Sequence, residues 1–163
     1  MIIIVSIISF ILEAFVSNIV SLNGLFMPLF TLMSLIIIFP YFNENIKPYL
    51  ITSFIIGVFY DIIYTNTVVI HGILFLLIAF LIIRLNVVFS SNWINVMIMA
   101  LVCIIAYRIA SFSILVITNT IPLNFIVLLK SIYQSILLNL IYVVLAFLIT
   151  DHISFKLKIK KSN

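Results

Sequence analysis

Long unbroken apolar runs, separated by short polar breaks, organise this chain. A helix needs roughly 20 apolar residues to cross a bilayer. The runs predict six membrane helices, over residues 2–18, 25–42, 49–65, 67–85, 93–118 and 125–150. The breaks have physical causes. Asn18, Asn23 and Gly24 end the first helix within SNIVSLNG (17–24). YFNENIKP (41–48) gathers polar residues ahead of Pro48, which suits a helix's first turn because its missing N–H has no intrahelical partner there. Pro28 is expected in the first turn of the second helix for the same reason. YTNT (64–67) is so short that helices 3 and 4 should form a tight antiparallel pair; RLNVVFSSNW (84–93) and TNTIPLN (118–124) are the remaining loops. A transmembrane barrel requires alternating polar and apolar positions, which these runs lack. The expected fold class is an all-α integral membrane protein, with about six transmembrane helices in a compact bundle over residues 1–155 and a basic cytoplasmic tail over 156–163.

Composition agrees with that pattern. Of 163 residues, 66% are hydrophobic and 7% charged, whereas soluble domains carry about 25% charged residues. The net charge of +4 therefore does not indicate nucleic-acid binding; its placement reports orientation. Lys156, Lys158, Lys160 and Lys161 lie in the tail, and Lys47 and Arg84 fall in loops on the same side if six helices cross. Lys130 alone lies opposite. By the positive-inside rule the tail side, with both termini, is cytoplasmic; the tail also has the charge to touch anionic headgroups. MIIIVSIISF (1–10) has neither a basic leader nor a following cleavage site, and reads as a retained span. Cys103 is the single cysteine; it cannot form an internal disulfide and is expected to be a small apolar filler. No metal-ligand spacing, P-loop or Ser/His/Asp cluster is present, so no catalytic, cofactor-binding or metal-binding residue is assigned.

Three ionisable residues fall well inside the predicted spans: Glu13, Asp61 and Arg108. Each costs about 2.5–3.5 kcal/mol at a helix centre on insertion scales. At ~1.5 Å per residue they lie about 16, 18 and 22 Å from the inner ends of their helices, all in the outer half. Two readings stand: an ion pair of Arg108 with Asp61 or Glu13 that fixes packing, or a partner-docking or ligand-contacting cluster. Ser6, Ser9, Glu13 and Ser17 share one stripe, and Ser131, Ser135, Asn139 and Tyr142 another. Such small polar stripes commonly join membrane helices. Ala106 and Ala110 allow close approach to the fifth helix. Gly57 and Asp61, four apart, share one face, which Tyr64 and Thr65 extend outward. Gly57 admits a neighbouring backbone and Asp61 can bond to it. His71 is expected to be structural or interfacial rather than a proton relay.

These residues also carry a family likeness. FIIGVFYDIIYTNTVVIHGILF (54–75) resembles the signature region of the rod shape-determining MreD family: a glycine, three residues, an aspartate, a short break and an apolar helix. Gly57 and Asp61 match the Gly-x-x-x-Asp portion. Glu13, in ISFILEAFV (8–16), sits where members often carry an acidic residue, and MPLFTLMSLIIIFPYF (27–42) looks like the second helix. One departure stands out. Many relatives have a Leu-Gly pair before helix 4, and ungapped spacing from Asp61 places that glycine at Val69, so the turn is expected to be shaped differently.

The resemblance implies a non-enzymatic subunit of the bacterial cell-wall elongation machinery, in the cytoplasmic membrane. Such a subunit binds MreC and links MreB filaments to the RodA glycosyltransferase and a class B penicillin-binding transpeptidase. Gly57, Asp61, Tyr64, Glu13, Arg108 and Asn139 are the candidate partner-docking or helix-packing residues; Arg108 lies outside the signature. The family is also similar in fold to substrate-binding components of energy-coupling-factor vitamin transporters. That keeps open a second reading, a small-molecule-binding transporter component with Glu13, Asp61 and Arg108 lining an outward pocket. The short uncharged outer loops speak against it. A membrane-embedded enzyme is a third and more distant reading, lacking a paired-acid, Ser/His or metal constellation.

Overall fold

The structure, a computed structural model, describes residues 1–20, 26–42, 45–65, 67, 69–86 and 92–157. Six helices follow one another: α1 (Ile2–Val20), α2 (Phe30–Ile38), α3 (Ile46–Tyr60), α4 (Ile70–Asn86), α5 (Trp93–Ile117) and α6 (Phe125–Lys156). A 3₁₀ turn, Phe39–Phe42, extends α2, and a π-helical turn, Asp61–Thr65, extends α3. Four stretches are long and apolar enough to cross a membrane: Ile2–Ile19, Ile46–Thr65, Trp93–Ile117 and Phe125–Lys156. Phe30–Phe42 and α4 are shorter.

The bundle is built around α2. All nine of its residues are buried, including Thr31 and Ser34, and it packs against α1, α4, α5 and α6. A helix this apolar can be enclosed on every side. The others bury a single stripe, such as Val5, Ser9 and Glu13 on α1, and turn aliphatic side chains outward. Ile3, Ile7, Ile11 and Phe15 on α1 are all more than half exposed, the arrangement a hydrocarbon solvent permits. α3 pairs with α4 and α5 with α6, as short connections between consecutive helices favour.

Several boundaries differ from expectation, each for a local reason. The second helix begins at Phe30 rather than residue 25, so Pro28 precedes it instead of opening it. A residue before proline is steered out of the helical region, and the Met27–Leu29 backbone bonds to α6 instead: Met27 N–H donates to Gln134 O at 3.1 Å and Leu29 N–H to Asn139 Oδ1 at 2.7 Å. α3 starts at Ile46, which still leaves Pro48 in its first turn. The sixth helix runs to Lys156, beyond the expected end at 150. No breaker intervenes, and the Thr150 and Ser154 hydroxyls return to the carbonyls of Ala146 and Thr150, one turn back. Lys156 thus closes the helix instead of opening a tail; Lys158, Lys160 and Lys161 lie outside the described residues, as do Asn23, Gly24, Asn43 and Glu44 in the predicted breaks. Cys103 is fully buried.

Candidate functional site

The α3–α4 pair is set by one glycine. A methyl group added to Gly57 would lie 2.7 Å from Gly72 Cα and 2.8 Å from Gly72 N, with the His71 carbonyl oxygen closer still. The two backbones therefore touch, which only a residue without Cβ allows. Gly72 faces side chains: its added methyl would meet Val58 Cγ2 at 3.0 Å and a Phe54 ring carbon at 3.2 Å.

One turn further along, Asp61 takes the donors that this approach brings near. Its Oδ2 accepts the His71 N–H at 2.8 Å and the Gly72 N–H at 3.2 Å. These belong to the first turn of α4, whose N–H groups have no intrahelical acceptor; a carboxylate there also meets the positive end of the helix dipole. Asp61 Oδ1 accepts from the Thr65 hydroxyl at 3.2 Å, from the Thr67 hydroxyl, and from His71 Nδ1 at 2.7 Å. Asp61 is 1% exposed and His71 15%. His71 was expected to be structural or interfacial, and its ring nitrogen here pairs with the Asp61 carboxylate.

Val69 closes the connection with φ +64. This is the position where the family likeness places a glycine. The turn keeps a left-handed residue although a β-branched side chain now occupies it, a conformation that costs roughly 1–2 kcal/mol. The connection thus has the backbone a glycine would favour, and Val69 carries the strain.

A second polar centre holds the start of α2. Glu13 Oε2 accepts the Thr31 N–H at 2.7 Å, and Glu13 Oε1 accepts the Tyr60 hydroxyl at 2.8 Å. Asn139 acts from the opposite side: Oδ1 accepts the Leu29 N–H, while Nδ2 donates to Met27 O at 3.0 Å. Non-helical backbone inside a membrane protein must find such partners, because hydrocarbon offers none. The two serine stripes also meet, through Ser9 Oγ and the Tyr142 hydroxyl at 2.6 Å, and Tyr142 stacks on Phe30 at 4.2 Å between ring centroids.

Tyr64 joins these centres. Its hydroxyl donates to Phe10 O on α1 at 2.7 Å, and its ring packs on Phe10 and Tyr60. Tyr60, next to Asp61 in sequence, bonds Glu13 and contacts His71 and Phe75.

Arg108 stands apart. Among the described residues it forms no ion pair with Asp61 or Glu13, so the expected acid–base cluster is not assembled. Its Nε–H donates to Ser135 Oγ at 2.7 Å, and its guanidinium lies 5.8 Å from the Tyr107 ring centroid. The carboxylates had nearer donors: backbone N–H groups with no acceptor of their own.

Sequence reasoning named Gly57, Asp61, Tyr64, Glu13, Arg108 and Asn139, but passed over Tyr60, Gly72 and Thr67. A signal existed for Gly72: it is the one other glycine in the signature stretch, beside His71. Tyr60 gave none, since a tyrosine among aromatics reads as packing. No group of three or more His, Cys, Asp or Glu able to hold a metal occurs among the described residues.

Comparison with known proteins completes these observations. A family model described as rod shape-determining protein MreD matches residues 1–155. No curated protein and no solved structure matches the chain, so the fold likeness to energy-coupling-factor components is without support.

Proposed function

The chain belongs to the rod shape-determining protein MreD family, and on that premise we propose that it is a membrane scaffold of cell-wall elongation that docks the transmembrane span of MreC. Members of this family are non-enzymatic shape-determining membrane proteins. Through MreC, the scaffold helps couple MreB filaments to RodA and a class B penicillin-binding transpeptidase. One observation carries this reading: the polar side chains inside the bundle hold helix starts. Asp61 caps α4, and Glu13 and Asn139 secure the approach to α2. A frame so braced presents fixed outer faces to other spans.

We read Phe26–Phe42 as one discontinuous span. Four non-helical residues, nine α-helical and four 3₁₀ residues cover at most about 35 Å, against a hydrocarbon core of ~30 Å. α4 supplies another crossing, of about 26 Å. Six crossings put both termini on the cytoplasmic side of the bacterial membrane, with Lys47, Arg84 and Lys156.

Co-expression with tagged MreC and purification in several mild detergents tests the proposal. Stoichiometric recovery is expected. Failure to recover the pair in any detergent that keeps this chain folded would overturn it.

A further inference from the structure

Among the described residues, Arg108 is short of acceptors. A guanidinium has five N–H donors. One reaches Ser135 Oγ, which is itself committed as a donor to Ser131 O at 2.8 Å. The two Nη groups have no hydrogen-bond or ion-pair partner among the described residues. Glu13 is engaged by Thr31 and Tyr60 and acts on Arg108 only at longer Coulombic range. Asp61 is held by α4.

Depth limits what can serve. Arg108 lies fifteen residues from Trp93 and nine from Ile117 within α5, about 22 and 14 Å at ~1.5 Å per residue. Helical side chains lean toward the helix N-terminus, so Arg108 leans away from its nearer interface. Lipid phosphate is out of its reach from either face. Arg108 is half-buried, and its neighbours Ile105 and Ile109 are 39% and 47% exposed. The face of α5 beside Arg108 therefore meets the membrane, while Ser135 across the α5–α6 seam is fully buried.

We propose that Arg108 docks a carboxylate carried mid-span on the transmembrane helix of a protein partner, at the α5–α6 seam. The paired Nη groups suit a carboxylate's two oxygens, and the acid arrives already at the right depth. This inference rests on the scaffold reading and adds the charge that the docked span must bring.

The test uses the full chain in phosphatidylcholine nanodiscs and three Leu/Ala transmembrane peptides whose central residue is Glu, Gln or Leu. Fluorescence transfer reads binding. The wild-type chain is expected to bind the Glu peptide about tenfold more tightly than the Leu peptide. Arg108→Gln should lose that preference, and Arg108→Lys should keep part of it. The comparison among peptides on wild-type protein stands even if a variant fails to fold. Equal binding of all three peptides overturns the inference. So does a Glu preference that vanishes when phosphatidylglycerol is added, because a lipid anion then serves the guanidinium. Co-purification with MreC, run beside it, separates the two ideas. MreC recovered with a flat peptide response overturns the Arg108 inference alone, whereas no MreC recovered overturns the scaffold reading.

Discussion

Gly57 and His71 meet backbone to backbone, and the same segment of α4 donates its His71 N–H to Asp61, four residues after that glycine. The glycine brings α4 close and the aspartate binds what comes close. Neither works alone: a wider helix separation would take the His71 and Gly72 amides out of reach of the carboxylate.

Gly57→Ala is therefore expected to destabilise by about 3 kcal/mol, since backbone cannot rotate away from an added methyl. Gly72→Ala should cost less than about 1.5 kcal/mol, because the Val58 and Phe54 side chains in its path can shift. Thermal unfolding in detergent measures both. A Gly57→Ala loss no larger than that of Gly72→Ala would contradict the backbone contact.

Replacing Asp61 separates hydrogen bonding from shape. Asp61→Leu strands two amide groups, a histidine nitrogen and two hydroxyls, and should cost about 3–5 kcal/mol. Asp61→Asn keeps one acceptor oxygen and should cost about half as much. Hydrogen exchange at His71 and Gly72 should accelerate in both, more in the leucine variant. Unchanged exchange at these amides would show that Asp61 does not cap α4.

At Val69 the expected sign is reversed. Val69→Gly removes a left-handed strain of roughly 1–2 kcal/mol, offset in part by glycine's greater freedom when unfolded, about 0.5–1 kcal/mol. A net gain of up to about 1 kcal/mol should appear as a higher melting temperature. A lower melting temperature would mean that Val69 is not strained at φ +64.

The start of α2 depends on two side chains from different helices. Glu13→Leu and Asn139→Leu should each cost about 2–3 kcal/mol, by leaving the Thr31 or Leu29 amide without an acceptor. Both hold one short segment, so the double variant should fall short of the sum of the single losses. Strict additivity in a double-mutant cycle would show that they act on separate elements.

Hydrophobic pattern alone yields six helical segments, the α3–α4 pairing and the Gly57–Asp61 face, because those depend on composition and on spacing along a single helix. Cys103 in an apolar run is as buried as its surroundings imply. The start of α2 was less legible: residues 26–29 are as apolar as a helix, and their non-helical path is held by Asn139, over a hundred residues away, which offers both a donor and an acceptor.

The sequence by itself determined that this is a helical membrane protein and which face of each helix carries polar groups. Tertiary structure decided whom those groups meet. Opposite charges at similar depth suggested that Arg108 pairs with Asp61 or Glu13, but a carboxylate in low dielectric binds the nearest well-aligned donors. For Asp61 and Glu13 those are the amides at the starts of α4 and α2. Where a helix start falls in three dimensions is not written in spacing along the chain, and that placement is what leaves Arg108 bonded to Ser135 rather than to either acid.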